Sequence, residues 1–251
     1  MPNPLLARLE LLALLHPVAS LRYFILRHGQ TDHNRDGIIQ GSSDVSRLTA
    51  NGEAQARASG AALAKLDDPI ARTLLSPLMR AKQTHELLLE SRELPAPTVL
   101  DDLREIDLHS WEGRTKAELK SEQPDAYWAW QRDPLAMVVD GRRPIVDLWA
   151  RARTSVWPKV REAADDAGAT LLVCHGSLGQ ALLCTALGLD ETAWRRHEFP
   201  NCGMVEIEWP ASERLATQWQ WRLPEQGRWQ TRTKTRALHV TQVSGVTVQG
   251  G

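Results

Sequence analysis

Leu21-Arg22-Tyr23-Phe24-Ile25-Leu26-Arg27-His28-Gly29 is the stretch that decides the fold. Its apolar run reads as a buried strand, and the strand stops on a cation, an imidazole and a glycine. Such an ending presents a nucleophilic ring and a guanidinium at one sheet edge, with a glycine that lets the backbone pass close to whatever they bind. A second block, Leu171-Leu172-Val173-Cys174-His175-Gly176-Ser177, repeats the plan of apolar strand, His-Gly and apolar helix. Two histidines delivered alike at two strand ends predict one shared site.

Outward from these blocks, further β-type runs fall at about 70–75, 97–101, 203–209 and 217–223, with helical patterns between most of them. Thr49 opens an Ala-rich helix running to about Leu66, and Ser76-Pro77 reads as a helix start with Ser76 as its N-cap. Helical patterns also cover 115–132, 145–167 and the stretch from Gly176 to Leu187. This alternation predicts an α/β fold, a three-layer sandwich whose mostly parallel sheet carries helices on both faces. The expected organisation is one domain over 21–230, a leucine-rich extension over 1–20 and a polar tail over 231–251.

A chain of 251 residues can bury a substantial core, and a net charge of −1 gives no electrostatic case for nucleic acid or an anionic membrane as partner. Cys174, Cys184 and Cys202 are widely spaced and odd in number, which argues against a disulfide framework or zinc site and for a reducing compartment such as the cytoplasm. Arg8 and Glu10 interrupt the leucine-rich start, which falls far short of the roughly 20 apolar residues of a membrane span. It reads as a short packed helix or an extension. The ten tryptophans read as core and helix–sheet packing.

In open α/β sheets, ligands bind beyond the carboxyl ends of the strands. There the sequence converges Arg27 and His28, Ser76-Pro77 with Arg80 in the first turn of its helix, the segment Leu103 to Asp107, and His175 at a helix mouth. A cation in a first helical turn opposes the macrodipole, so Arg80 makes sense with an anion between helix and guanidinium. The Gly176-Ser177 helix start adds N–H groups that favour an anion. Two arginines, two histidines and these amides describe a pocket for a dianionic phosphoryl group, which the arginine fork binds two oxygens at a time. No cluster has metal-ligand spacing, so no metal or other cofactor is expected.

Phe24-Ile25-Leu26-Arg27-His28-Gly29-Gln30-Thr31, Ser76-Pro77-Leu78-Met79-Arg80, Leu103-Arg104-Glu105-Ile106-Asp107, Trp111-Glu112-Gly113 and His175-Gly176 resemble, in order, the motifs of the histidine phosphatase (phosphoglycerate mutase-like) superfamily. Ile39-Gln40-Gly41-Ser42-Ser43-Asp44, Trp130-Gln131-Arg132-Asp133-Pro134, Leu148-Trp149-Ala150-Arg151-Ala152 and Asn201-Cys202-Gly203 are similar to its 2-carboxy-D-arabinitol-1-phosphatase group. The resemblance implies that His28 becomes phosphohistidine, with Arg27, Arg80 and His175 holding the phosphoryl oxygens. Glu105 is the expected proton donor, raised in pKa by the bound dianion, with Asp107 as its competitor. Asn34, Gln40, Gly41 and Gly176 are expected around the phosphoryl group, with His33 and His109 at the rim.

Where many relatives carry Gly-Glu-Ser, this chain reads Asp140-Gly141-Arg142-Arg143-Pro144. Arg142 and Arg143 are therefore expected to read a second anionic group, beside the bland alternative of a solvated basic turn. The activity implied is that of a metal-independent phosphomonoesterase for a small anionic sugar phosphate, of the 2-carboxy-D-arabinitol 1-phosphate or sugar bisphosphate type. A phosphoglycerate mutase, or a phosphatase for α-ribazole phosphate or phosphoserine, is the alternative. The expected partner is a small phosphate ester. The plant likeness leaves the plastid stroma open beside the cytoplasm, and dimers among relatives leave a homodimer open.

Overall fold

The computed structural model describes residues 20–67, 69–162, 168–225 and 228–235. The proposed 1–20 extension, apart from Ser20, and the tail beyond Thr235 lie outside the described residues. The polar stretch after Trp229 contributes to an edge strand that runs to Thr235.

Seven strands form one sheet: β1 (Ser20–Arg27), β2 (Ile70–Leu75), β3 (Thr98–Val99), β4 (Ala169–Cys174), β5 (Met204–Pro210), β6 (Gln218–Glu225) and β7 (Arg228–Thr235), in the order β3-β2-β4-β1-β5-β6-β7. The half from β3 through β2 and β4 to β1 is parallel, and β5, β6 and β7 extend it antiparallel. The α/β sandwich is as expected, with a mixed rather than uniformly parallel sheet. All six residues of β4 are buried, which fits a strand covered on both faces.

Strand alternation divides the core in two. Tyr23, Ile25, Leu172 and Cys174 pack in one cluster, while Phe24, Leu26, Leu171 and Val173 pack in the other. The second cluster is closed by α2 (Ala50–Leu63) and α3 (Met79–Leu88) through Leu63, Ala81 and Leu88. The first is closed by α6 (Pro144–Arg151), α7 (Trp157–Glu162) and α8 (Gly176–Ala186), with Leu148, Trp149, Val160, Leu178 and Leu182 inside it. The short helices α1 (Asp32–Asp36), α4 (Lys116–Glu122) and α5 (Pro124–Arg132) complete the list up to α6. Tryptophans serve the core as expected: Trp157 packs edge-on against Tyr23 and Trp209, with ring centroids 5.3 and 4.9 Å away. Such pairs add about 0.5–1.5 kcal/mol each to simple area burial.

Three helical expectations need correction. Ser76 is not the N-cap: α3 begins at Met79, with Leu78 as the cap residue, because the Ser76 hydroxyl is engaged elsewhere. The pattern over 115–132 breaks at Gln123, which precedes a proline and is held in an extended φ region, so α5 restarts with Pro124 in its first turn. The long helix from 144 to 162 contains a widened π turn at Ala152–Val156 between α6 and α7.

Candidate active site

Parallel pairing sets three strand ends level. The His28 N–H donates to Cys174 O at 3.0 Å and the Ser76 N–H to Val173 O at 3.1 Å, so β1, β2 and β4 release their chains at one edge. His28 and His175 meet there with ring centroids 5.3 Å apart. Both are buried, as is Arg80, which has no exposed surface.

The His28 ring is fixed by its own neighbour. Nδ1 lies 2.7 Å from Gly29 O, and a carbonyl can only accept, so Nδ1 carries the proton and Nε2 is the bare, nucleophilic nitrogen. Burial, then the charges of Arg80 and Arg27, push its pKa well below the usual histidine range. Gly29 serves packing rather than the ligand: a Cβ there would stand 2.4 Å from Gly52 O. The β1 end and the start of α2 touch backbone to backbone.

His175 caps α8, and its Nε2 lies 2.7 Å from Ser76 Oγ. That hydroxyl also accepts from the Leu78 N–H at 3.3 Å. A hydroxyl has a second lone pair, so the contact admits either His175 tautomer; the one in which Ser76 donates puts the ring proton on Nδ1, a buried atom with no partner among the described residues. Burial and then Arg80 keep this ring neutral too.

Arg80 donates through Nη1 to Ser43 O at 2.7 Å and through Nη2 to Gly41 O at 2.8 Å, leaving Nε buried and without a partner among the described residues. Burial lowers its pKa to about 10, which leaves it charged at neutral pH. Arg27 donates to Phe199 O, and Gly176 leaves it room, since a Cβ there would lie 3.2 Å from Arg27 Nε. The Gly41 loop is clamped by Glu112, whose Oε1 accepts from the N–H groups of Ser42 at 2.7 Å and Leu108 at 3.1 Å. Gly41 has φ +52, and a Cβ on it would strike Glu112 Oε1 at 2.1 Å.

Glu105 changes the expected picture of the second helix start. Its carboxylate accepts from the N–H groups of Ser177 at 2.9 Å and Leu178 at 3.0 Å, and from Ile106 at 2.9 Å. The amides at the head of α8 are thus met by a carboxylate from the chain itself, which satisfies orphan N–H groups and the helix dipole together. Glu105 pairs with neither Arg104, which binds Asp101 at 2.6 Å, nor Arg80.

Asn34 and Gln40 belong to the same region. Asn34 closes the capping box of α1 with Thr31, and its Oδ1 accepts from Asn201 Nδ2 at 3.0 Å; that amide also donates to His28 O at 3.2 Å. Gln40 Oε1 accepts from Thr31 and Ser46 hydroxyls at 3.0 and 2.7 Å. Arg142 and Arg143 are exposed, and Arg142 lies 3.3 Å from Asp147. Arg142 lines a cavity of about 160 Å³ with Ile106, Asp107, His109 and Arg151, and neither His28 nor His175 lines it.

Some participants escaped the sequence reading. Asn201 and Arg151 stood inside recognised motifs without a role, and Phe199, whose ring belongs to the core, reaches Arg27 through its carbonyl, which no side-chain pattern reports. Lys116 and Arg195 lie in the field of Arg27 or of each other: partial burial, then Arg195 and Arg27, lower the Lys116 pKa. Arg195, at φ +64, holds its guanidinium over the Trp130 ring, 4.8 Å from the centroid. Among the described residues no group of three or more His, Cys, Asp or Glu could hold a metal, and no helix is long and apolar enough to cross a membrane.

The family model of the histidine phosphatase superfamily (branch 1) matches residues 23–222. A protein of Arabidopsis thaliana named "Probable 2-carboxy-D-arabinitol-1-phosphatase" is 42% identical over 188 residues, covering 74% of this chain and 38% of its own length. The chain thus spans about two fifths of the plant relatives it matches, the wheat 2-carboxy-D-arabinitol-1-phosphatase likewise at 38% of its length. The structure of mycobacterial glucosyl-3-phosphoglycerate phosphatase is 29% identical with a TM-score of 0.68, covering 87% of this chain and all of that one.

Proposed function

This chain belongs to the histidine phosphatase superfamily, and from that premise we propose that it is a metal-independent phosphomonoesterase working through a phosphohistidine at His28. The observation that carries the reading is the fixed tautomer of His28: Nδ1 is tied to Gly29 O at 2.7 Å, leaving Nε2 bare in the field of the buried Arg80 and the half-buried Arg27. His28 Nε2 attacks phosphorus as the ester P–O bond breaks, and Glu105 gives its proton to the departing alkoxide. Water then attacks the phosphohistidine, Glu105 takes a proton from it, and the P–N bond breaks to free His28 and inorganic phosphate. Arg27, Arg80 and the Nδ1–H of His175 hold the equatorial oxygens, and fixed charge of this kind is most of what phosphoryl transfer asks of a protein.

The substrate in this reading is a small sugar phosphate with a second anionic group, of the 2-carboxy-D-arabinitol 1-phosphate or bisphosphate type. Two observations support it: the resemblance to the plant and mycobacterial phosphatases, and the cations Lys116 and Arg195, for which no ion pair occurs among the described residues. Arg142 and Arg143 are the other readers of that group. A second reading, phosphoglycerate mutase, is favoured by several relatives of that name, among them a "Probable phosphoglycerate mutase" of Salmonella choleraesuis that is 32% identical over 201 residues and 90% of its own length.

Phosphate release by the purified protein separates them. The panel is 3-phosphoglycerate, phosphoserine, α-ribazole phosphate, carboxyarabinitol 1-phosphate and xylulose bisphosphate, with His28→Ala alongside and chelator present throughout. Release that vanishes in His28→Ala and survives the chelator is the expected result. Interconversion of 3- and 2-phosphoglycerate without release establishes the mutase instead.

A further inference from the structure

Arg151 is a half-buried cation to which the phosphoryl-transfer reading gives no task. It closes α6, immediately before the widened turn Ala152–Val156. Single π turns of this kind recur at functional sites, since they swing neighbouring side chains off the ordinary helical track. Here Nη2 of Arg151 donates to two successive carbonyls, Arg104 O at 2.7 Å and Glu105 O at 3.1 Å.

Glu105 is consequently held at both ends. Arg151 grips its backbone, and the first N–H groups of α8 grip its carboxylate. Glu105 is also the foremost carboxylate acting on the Arg151 charge, ahead of Asp102, Asp101 and Asp107. Among the described residues Arg151 makes no ion pair within 4.0 Å, and its Nε is buried without a partner there. Its donors go to the main chain of the segment that carries the acid.

We propose that Arg151 is the positioning residue for the proton donor: it fixes the Arg104–Glu105 backbone so that the carboxyl oxygen stays within reach of the departing ester oxygen. The inference rests on the reading of Glu105 as general acid. Its physical basis is that proton transfer needs heavy atoms within about 2.6–3.2 Å, and displacement of a catalytic group by about 1 Å costs on the order of a hundredfold.

The test compares KM and the single-turnover rate of His28 phosphorylation for the wild type, Arg151→Gln, Arg151→Lys and Glu105→Gln on phosphoserine and p-nitrophenyl phosphate, since the hydrolysis that follows is common to both esters and also uses Glu105. The serine alkoxide needs a proton to depart, whereas p-nitrophenolate leaves without one. In Arg151→Gln, the phosphorylation rate with phosphoserine should fall roughly 10- to 100-fold with KM little changed, and the rate with the aryl ester should lose far less. Arg151→Lys should recover part of the alkyl-ester rate, and it carries the comparison if the glutamine variant does not fold. Equal losses on both esters, or a change confined to KM, overturn the proposal. If Glu105→Gln shows no split between the esters, the proton-donor reading itself is wrong. A split in Glu105→Gln without one in the Arg151 variants overturns only the positioning role.

Discussion

Ser76 Oγ and His175 Nε2 lie 2.7 Å apart, joining the ends of β2 and β4 across the floor of the site. In the proposed reaction Ser76 donates in this contact and leaves the one ring proton of His175 on Nδ1 for a phosphoryl oxygen. Removing the hydroxyl in Ser76→Ala frees the ring to adopt the other tautomer. A hydrogen bond to a charged group is worth about 1.5–3 kcal/mol, so kcat/KM should fall roughly 10- to 100-fold. Ser76→Thr, which restores the hydroxyl, should recover much of it. Steady-state kinetics measure the loss, and nitrogen chemical shifts of His175 report the tautomer directly; an unchanged tautomer in Ser76→Ala sinks the explanation.

The two histidines also set the acid stability of the fold. Both have pKa values held well below 6.5, by burial first and then by Arg80. The unfolded chain takes up protons near pH 6.5 while the native site refuses them, so stability is full above that pH and declines as pH falls below it. Each ring contributes a slope of about 1.4 kcal/mol per pH unit in that window. Denaturant unfolding at pH 7, 6 and 5 should give a slope of two protons from these rings, with a further share from His85, whose pKa burial also lowers, beyond the carboxylate background, and His28→Asn should remove one proton. A variant that keeps the full slope contradicts a neutral His28.

Arg80 is a harder case for conservative replacement. Its fork spans Gly41 O and Ser43 O while its charge faces the phosphoryl site. Lysine offers a point charge without the planar fork, so Arg80→Lys should bridge the two carbonyls poorly. Expected are a loss of about 1–3 kcal/mol in stability, the cost of an unsatisfied buried polar group, and a steep drop in kcat. Thermal melts with and without vanadate separate the two effects: a variant that keeps both its melting temperature and its stabilisation by vanadate shows that the fork is dispensable.

Much of this was legible before any coordinates. Arg27, His28, Arg80 and His175 stand at ends of apolar runs or in a first helical turn, where local pattern and topology coincide. Glu105 was legible as a carboxyl near the site but not as the partner of Ser177 and Leu178, since that pairing spans 72 and 73 residues. Phe199 and Asn201 act on Arg27 and His28 from a loop more than 170 residues away, and the first does so through its backbone. Ser76 misled because a serine before proline has two uses, capping and orienting, and sequence alone favours the commoner one. Gly29 misled similarly, since a close approach to α2 and one to a ligand leave the same glycine.

Gly52 gives the sharpest packing prediction. A Cβ there would stand 1.9 Å from Gln30 O and 2.8 Å from Gln30 N, all rigid backbone at the turn that follows His28. Gly52→Ala must therefore push α2 away from the end of β1, at a cost of about 1–3 kcal/mol or more. Because Gly29 N is tied to Thr84 Oγ1 at 3.0 Å, the shift reaches the His28 backbone as well. A lower melting temperature together with reduced kcat is expected. Gly113→Ala meets no atom within 4 Å but has φ +82, so it should cost stability through backbone strain alone. Unaltered activity in a folded Gly52→Ala protein refutes the coupling between α2 and the nucleophile.

Charge placement decides which cations read the rest of the substrate. Lys116, exposed like Arg142, shares the field of Arg27, whereas Arg142 stands beside Asp147 at 3.3 Å. An exposed pair of that kind is worth at most about 1 kcal/mol, and its carboxylate offsets attraction for an incoming anion. Lys116→Met and Arg195→Ala should therefore raise KM for carboxyarabinitol 1-phosphate and xylulose bisphosphate while sparing phosphate esters of neutral sugars. Arg142→Ala with Arg143→Ala should change that ratio less. If the Arg142/Arg143 double variant instead abolishes discrimination between charged and neutral esters, the second anionic group is read from the basic turn at 142–143.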